Sequence, residues 1–235
     1  MRLLITRPEE DAVALAATLK ELGHATLMAP LMEVRIFDGP PLALDGVQAV
    51  LATSANGVRA FAKRSARRDL PIYAVGPQTA EAASNNGFQF VYSAEGDAAA
   101  LAEAVAQWAK PDKGALLHAA GAESAGRLRQ ALQAQGFAVT VEILYEAVPA
   151  EKLPENMAQA LGENTLDGVL LFSPRSAKVF ANLVTKAGLG GACAGLTCYC
   201  ISAATAAATG TLGFARVSVA GSPNQEAMLA LLTPL

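Results

Sequence analysis

Residues 50–62 read VLATSANGVRAFA, and residues 169–181 read VLLFSPRSAKVFA. Aligned without a gap, Val, Leu, Ser, Phe and Ala recur in register. Each stretch opens as a short apolar run, passes through a serine and continues with helical spacing of apolar residues. The match resumes further along. Residues 70–88 read LPIYAVGPQTAEAASNNGF, and residues 196–214 read LTCYCISAATAAATGTLGF. Both carry Leu, a Tyr three residues on, then Thr-Ala and Gly-Phe at the same offsets. Residues 3–30 and 115–141 agree by type: an apolar run, a helical segment with a terminal glycine, and a second apolar run. Two copies are too few for a solenoid, so the repetition predicts a pair of homologous α/β units.

Within each copy, short runs rich in Val, Ile and Leu predict buried strands. The first set is 3–6, 25–28, 49–52, 72–75 and 90–92. The second is 115–118, 138–144, 168–172, 197–201 and 215–219. Helical patterns such as 11–22 and 98–109 run between them. Strands alternating with helices imply parallel sheets covered on both faces.

Composition limits the function. The chain has 235 residues, 52% of them hydrophobic and 17% charged, with a formal net charge of −3. That suits a core-rich globular protein and argues against disorder or nucleic-acid binding. The basic stretch Lys63, Arg64, Arg67 and Arg68 follows a helical pattern and reads as cations near a helix C-terminus, where the dipole favours them. No apolar stretch is long enough to span a bilayer, and Leu3 to Ile5 is too short for a secretory signal core. A cytoplasmic protein without membrane contact is expected. Cys193, Cys198 and Cys200 make no disulfide framework and read as buried small side chains. With only His24 and His118 as histidines, no metal site is expected.

Ligands of open α/β sheets bind beyond the carboxyl ends of the strands. Thr6, Thr53-Ser54, Gly76-Pro77, Gly121, Ser173-Pro174, Ser202 and Ser222-Pro223 follow predicted strands. Several fit helix N-termini: Ser173 before Pro174, Thr6 with Glu9, and Ser222 with Pro223 and Gln225. Capping alone accounts for most of these residues. Several such termini together would also suit a polyanion, through free N–H groups and helix dipoles. Phosphate loops, the G-x-G-x-x-G fingerprint, Gly-x-Ser-x-Gly and a carboxylate pair are all missing from the sequence. Nucleotide-dependent, hydrolytic and metal-based mechanisms are disfavoured accordingly.

The motifs LLITRP (3–8), TSANGV (53–58), YAVGPQTA (73–80), LYEAVP (144–149), FSPRSA (172–177) and SPNQEAM (222–228) together resemble the uroporphyrinogen-III synthase family. The resemblance covers essentially the whole chain. It implies an α/β fold with two flavodoxin-like parallel-sheet domains joined by a two-stranded connector. One domain would combine 1–34 with 148–235, the other would be 35–147, and the crossings would lie near 32–37 and 144–149. It implies a monomer whose substrate is hydroxymethylbilane, with four pyrroles and eight carboxylates. The reaction loses water, inverts ring D through a spiro intermediate and closes the ring to uroporphyrinogen III without cofactor or metal. It leaves room for transient contact with the preceding pathway enzyme.

The resemblance also implies roles. Tyr145 corresponds to a tyrosine at the end of the second connector strand, where a phenol can protonate or hydrogen-bond the departing hydroxyl. Read from sequence alone, Tyr145 would sooner be strand packing, and the resemblance reverses that reading. Substrate-binding groups would be Thr53, Ser54, Gly76, Thr79, Ser173, Ser176, Ser202 and Thr205, with Arg7 and Arg175 adding charge-assisted bonds. Two departures stand out. Ser202-Ala203 occupies the place of a Gly-Pro pair, which puts the path of that loop in question, and Asn56 replaces a residue that is often basic. Two rival readings are a non-catalytic two-lobed small-molecule sensor and an inactive synthase-like domain. Supplying hydroxymethylbilane and resolving the product isomers separates them from a synthase.

Overall fold

A computed structural model describes residues 1–123 and 126–232. In chain order the elements are β1 (Arg2–Ile5), α1 (Glu9–Glu21), β2 (Ala25–Met28), β3 (Met32–Ile36), β4 (Val47–Ala52), α2 (Ala55–Arg64), β5 (Ile72–Ala74), α3 (Pro77–Asn85), β6 (Val91–Ser93), α4 (Ala98–Trp108), β7 (Ala115–Gly121), α5 (Arg127–Ala134), β8 (Val139–Pro149), α6 (Glu155–Gly162), β9 (Gly168–Leu171), α7 (Pro174–Lys186), β10 (Thr197–Cys200), α8 (Ala203–Ala207), β11 (Arg216–Val219) and α9 (Gln225–Ala230). The chain divides into two units. Unit 1 is Met1–Glu33 with Val148–Leu235, and unit 2 is Val34–Ala147. It passes between them twice, within β3 and within β8.

The unit 1 sheet has the order β11-β10-β9-β1-β2, with every neighbouring pair parallel. In the other sheet β3 lies beside β8, followed by β7-β4-β5-β6, and the pairs from β8 to β6 are all parallel. The order explains the repetition in the sequence. Strands β9, β10, β11, β1 and β2 occupy the places that β4, β5, β6, β7 and β8 occupy in unit 2. The repeated serine thus follows the same strand of each sheet. In chain order the strands of unit 1 run 2-1-3-4-5, the flavodoxin-like order, and the parallel strands of unit 2 run 3-2-1-4-5, its permutation; in both the chain builds outward from one central strand and then from its neighbour.

Each sheet buries both faces, which is why its strands read as continuous apolar runs. In unit 1, Leu4, Val169 and Leu171 join Phe180 and Val184 on one face. Leu3, Ile5 and Leu170 join Leu15 and Leu19 on the other. In unit 2, Val50, Ala52, Leu117 and Ala119 pack with Phe61, while Ala49, Leu51 and Leu116 pack with Leu101, Val105 and Leu132. Among the described residues, no helix is long and apolar enough to cross a membrane.

Two expected helix caps are corrected. Helix α1 has Pro8 at its N-cap and no side-chain cap bond. Thr6 instead stays at the sheet: it is fully buried, and its hydroxyl donates to the Leu170 carbonyl at 3.1 Å. Helix α9 is capped by Asn224, whose side-chain oxygen accepts from the Ala227 N–H at 2.8 Å. Asparagine caps as well as serine, so the cap lies two residues beyond Ser222 and Pro223 precedes the helix. Strands β7 and β8 also run further than their local sequence signals. Ala119, Ala120 and Gly121 favour strand weakly by themselves, and pairing with β8 carries them into the sheet.

The basic stretch lies at the α2 C-terminus. Lys63 and Arg64 occupy the last turn. Arg68 donates to the carbonyls of Ala62, Ser65 and Asn86 at 3.0, 2.7 and 2.7 Å, with its guanidinium 4.8 Å from the Phe88 ring centroid. All three cysteines are buried and free. Cys198 and Cys200 share one strand face, with their sulfurs 3.4 Å apart. Burial pushes the Cys193 thiol up to about 11. The Cys198 thiol is raised too, by its contact with Cys200 first and by burial second.

Candidate functional site

In unit 2 the strand order reverses between β4 and β7, and the tips of these strands carry the most developed constellation in the fold. Strand β4 runs out through Thr53 into Ser54, the N-cap of α2. Ser54 is extended (φ −160°, ψ 157°), and its hydroxyl oxygen accepts the Gly57 N–H at 3.2 Å. Tyr145 reaches the same point from β8, and its hydroxyl lies 2.6 Å from Ser54 Oγ.

A shift of register delivers the phenol there. Ala120 pairs with Ile143, but the next residue of β7, Gly121, pairs with Tyr145. Two residues of β8 therefore oppose one step of β7, and this bulge breaks the alternation of side chains. Leu144 and Tyr145 consequently both enter the core on the α2 side, whereas Ile143 is exposed. Two glycines make room. A Cβ on Gly121 would stand 2.7 Å from Tyr145 Cζ, and one on Gly57 would stand 2.5 Å from the Ala119 carbonyl oxygen. Tyr145 is 8% exposed, so its ring is packed and only the hydroxyl end reaches the turn. Burial raises the phenol above its ordinary value of 10.0, while the bond to Ser54 acts in the opposite direction. At neutral pH it keeps its proton.

His118 lies beneath this turn on β7, paired with Leu51 of β4 and fully buried. Its Nε2 is 3.3 Å from Thr53 Oγ1. Its Nδ1 has no partner among the described residues. Burial alone pushes the imidazole down to about 4, so it is neutral at physiological pH.

Two strand tips of unit 1 repeat the serine cap, and a glycine takes its place after β5. In unit 2, Gly76 caps α3 with extended backbone, and the Thr79 N–H donates to its carbonyl at 3.1 Å. In unit 1, Ser173 Oγ accepts the Ser176 N–H at 3.0 Å and donates to Ser176 Oγ at 2.9 Å. Ser202 Oγ accepts the Thr205 N–H at 3.2 Å and lies 3.0 Å from Thr205 Oγ1. The backbone at Ser202 (φ −156°, ψ 162°) follows that of Ser54 and Ser173 closely, so the missing Gly-Pro pair does not redirect this loop. Ser176, Thr79 and Thr205 are buried behind their caps, with Thr205 at 0% exposure. Thr205 therefore acts on Ser202, which lies at the surface side of the turn.

Arg7 is also buried. It donates to Asp11 at 2.8 Å and to Gln225 at 3.2 Å, and its guanidinium lies 4.6 Å from the Phe172 ring centroid. Its charge is thus balanced at the β1 tip. Arg175 lies in the first turn of α7, behind the Ser173 cap. Asn56 accepts from Arg59 at 2.8 Å, one turn along α2.

In unit 2 the fold brings Thr53, Ser54 and Tyr145 together, and in unit 1 Arg7 and Ser173 follow the ends of the neighbouring strands β1 and β9. Sequence reasoning missed His118 and the packing role of Gly57. The signal for His118 was available: in ALLHAAG (115–121), a lone polar residue interrupts a run that must be buried on both faces.

A family model described as "HEM4: Uroporphyrinogen-III synthase HemD" matches residues 13–230. No curated protein matches the chain. Among solved structures, uroporphyrinogen-III synthetase from Helicobacter pylori 26695 is 19% identical with a TM-score of 0.62, over 99% of this chain and 98% of that one. A mutant uroporphyrinogen III synthase from the extremely thermophilic bacterium Thermus thermophilus is 17% identical with a TM-score of 0.52, over 99% and 97% of the two chains. At these identities the structures speak for the fold.

Proposed function

The chain belongs to the uroporphyrinogen-III synthase family, and from that premise we propose that the hydroxyl of hydroxymethylbilane departs beside the Tyr145–Ser54 pair. The enzyme is a cyclising lyase. It converts hydroxymethylbilane to uroporphyrinogen III with loss of water and inversion of ring D. Departure of hydroxide requires a proton. Tyr145 supplies it as a neutral phenol, and Ser54 donates to the phenol oxygen as negative charge develops there. Ser54 is suited to this, because the Gly57 N–H and the N-terminal end of α2 favour charge at its oxygen.

Once water has left, the azafulvene cation is reactive without further help. The protein then has to direct the substituted carbon of ring D to attack in place of the free terminus, which is a task of positioning. Within unit 2, the hydroxyl and backbone donors at Thr53, Gly76 and Thr79 suit carboxylate arms, directly or by fixing a neighbour, and within unit 1 those at Ser173, Ser176, Ser202 and Thr205 do likewise. Arg175 adds charge. Arg7 orders Asp11 and Gln225 at the tip of β1. We read the enzyme as cytoplasmic and, as the family resemblance implies, as a monomer.

The 2.6 Å contact between Tyr145 and Ser54 carries this reading. The test supplies hydroxymethylbilane and resolves the isomers by chromatography. The unaltered enzyme yields the type III isomer. Tyr145→Phe keeps the fold and loses roughly a hundredfold or more in turnover, the scale of general acid catalysis, so the spontaneous type I isomer accumulates. Full turnover in Tyr145→Phe removes the phenol from the mechanism, and type I product alone from the unaltered protein removes the activity.

A further inference from the structure

His118 Nδ1 is the buried side-chain nitrogen without a partner among the described residues, and the mechanism above makes no use of it. A neutral imidazole has one N–H and one lone pair, which leaves two tautomers. With the proton on Nδ1, a buried N–H donor would go unpaired. Nε2 would then accept the Thr53 hydroxyl proton across 3.3 Å. With the proton on Nε2, the donor is satisfied by Thr53 Oγ1, and the group left unpaired is an acceptor lone pair. Buried orphaned N–H groups are rarer than under-satisfied acceptors. The cost of burial therefore selects the Nε2–H form.

The consequence lies at Thr53. In the Nε2–H form the Thr53 oxygen accepts from the imidazole, and its single proton is left for another partner. Thr53 is half-buried at the tip of β4, next to Ser54. We propose that His118 is a positioning residue: by donating from Nε2 it sets Thr53 as a hydrogen-bond donor toward a carboxylate arm of the substrate. This rests on the reading of Thr53 as an arm-binding group. The other tautomer would turn a Thr53 lone pair outward, and a carboxylate would be repelled. A cationic imidazole would donate equally well, but burial depresses its protonation to about 4, and the burial is complete.

The tautomer is measured directly. Two-bond proton–nitrogen correlation spectra of the full chain with nitrogen-labelled histidines, recorded near neutral pH, link each ring nitrogen to the carbon-bound ring protons and report which nitrogen carries the proton. The expected pattern for His118 is protonated Nε2 and bare Nδ1. A proton on Nδ1, or on both nitrogens, overturns the assignment. Kinetics provide the functional half. Thr53→Val raises KM by about tenfold, the factor for a lost hydrogen bond to a charged group, with little change in kcat. His118→Leu raises KM in the same direction and adds little in the Thr53→Val background, because both act through one hydroxyl. His118→Gln places an amide N–H where Nε2 stood and recovers KM relative to His118→Leu. The fluorescence of Trp108 identifies a variant that fails to fold. If Nε2 carries the proton but Thr53→Val leaves KM unchanged, the arm-binding reading fails while the tautomer stands. If Thr53→Val raises KM and His118→Leu does not, the coupling between the two residues is refuted.

Discussion

Acidification tests the buried histidine by its effect on stability. Burial lowers the His118 pKa from 6.5 to about 4. An imidazole held below its unfolded value binds fewer protons in the folded state than in the unfolded one between these two pH values. Stability is therefore complete above about pH 6.5 and falls as the pH drops toward 4. At 1.36 kcal/mol per unit, the full loss is about 3 kcal/mol, reached below pH 4. Between about pH 7.5 and 5 the two titration curves give a loss of about 2 kcal/mol. The chain's single tryptophan provides a local readout. Trp108 ends α4 in unit 2, the unit of His118, and packs on Tyr73 at 5.2 Å and Tyr92 at 5.5 Å between ring centroids. Urea unfolding followed by its fluorescence thus reports the relevant unit, which matters in a chain of two units where one global transition cannot be assumed. His118→Gln removes the titration and leaves His24 and the carboxylates in place, so the difference between the two proteins belongs to His118. The unaltered protein is expected to lose about 2 kcal/mol more than the variant over this pH range. Equal losses in both would mean that the imidazole protonates as readily folded as unfolded, and the case for a dry, neutral His118 would collapse.

Gly121→Ala places a Cβ 2.7 Å from Tyr145 Cζ. It should cost about 1–3 kcal/mol by overpacking and lower turnover further by pushing the phenol off Ser54. An alanine variant with full activity would show that the site does not need that phenol position. The three buried cysteines should be silent to an aromatic disulfide reagent in the folded protein and all react in urea; rapid labelling of any of them under native conditions contradicts their burial.

The course of the chain through its site explains what could be read in advance. The alternation of strands and helices was legible because a parallel strand buried on both faces must be apolar at every position, as in Leu3, Leu4 and Ile5. The serine cap at Ser173 was legible because a cap acts within three residues of itself, and Ser54 and Ser202 cap their helices in the same way. The cap on α1 misled, since Thr6 lies within three residues of Glu9 yet spends its hydroxyl on the neighbouring strand. The Asn224 cap was displaced by two residues for the equally local reason that asparagine and serine compete for the same role.

By itself, then, the sequence determined the α/β class, the repetition of one unit and the family, all of which rest on local periodicity and on motifs contiguous in the chain. The tertiary structure decided which of the marked residues meet. Tyr145 and Ser54 are 91 positions apart, and Thr53 and His118 are 65. Their contacts depend on strand order and on a one-residue slip between Ala120 and Gly121. Register of that kind is set by hydrogen bonding and packing across a whole sheet, and a pattern with a period of two or 3.6 residues carries no record of it.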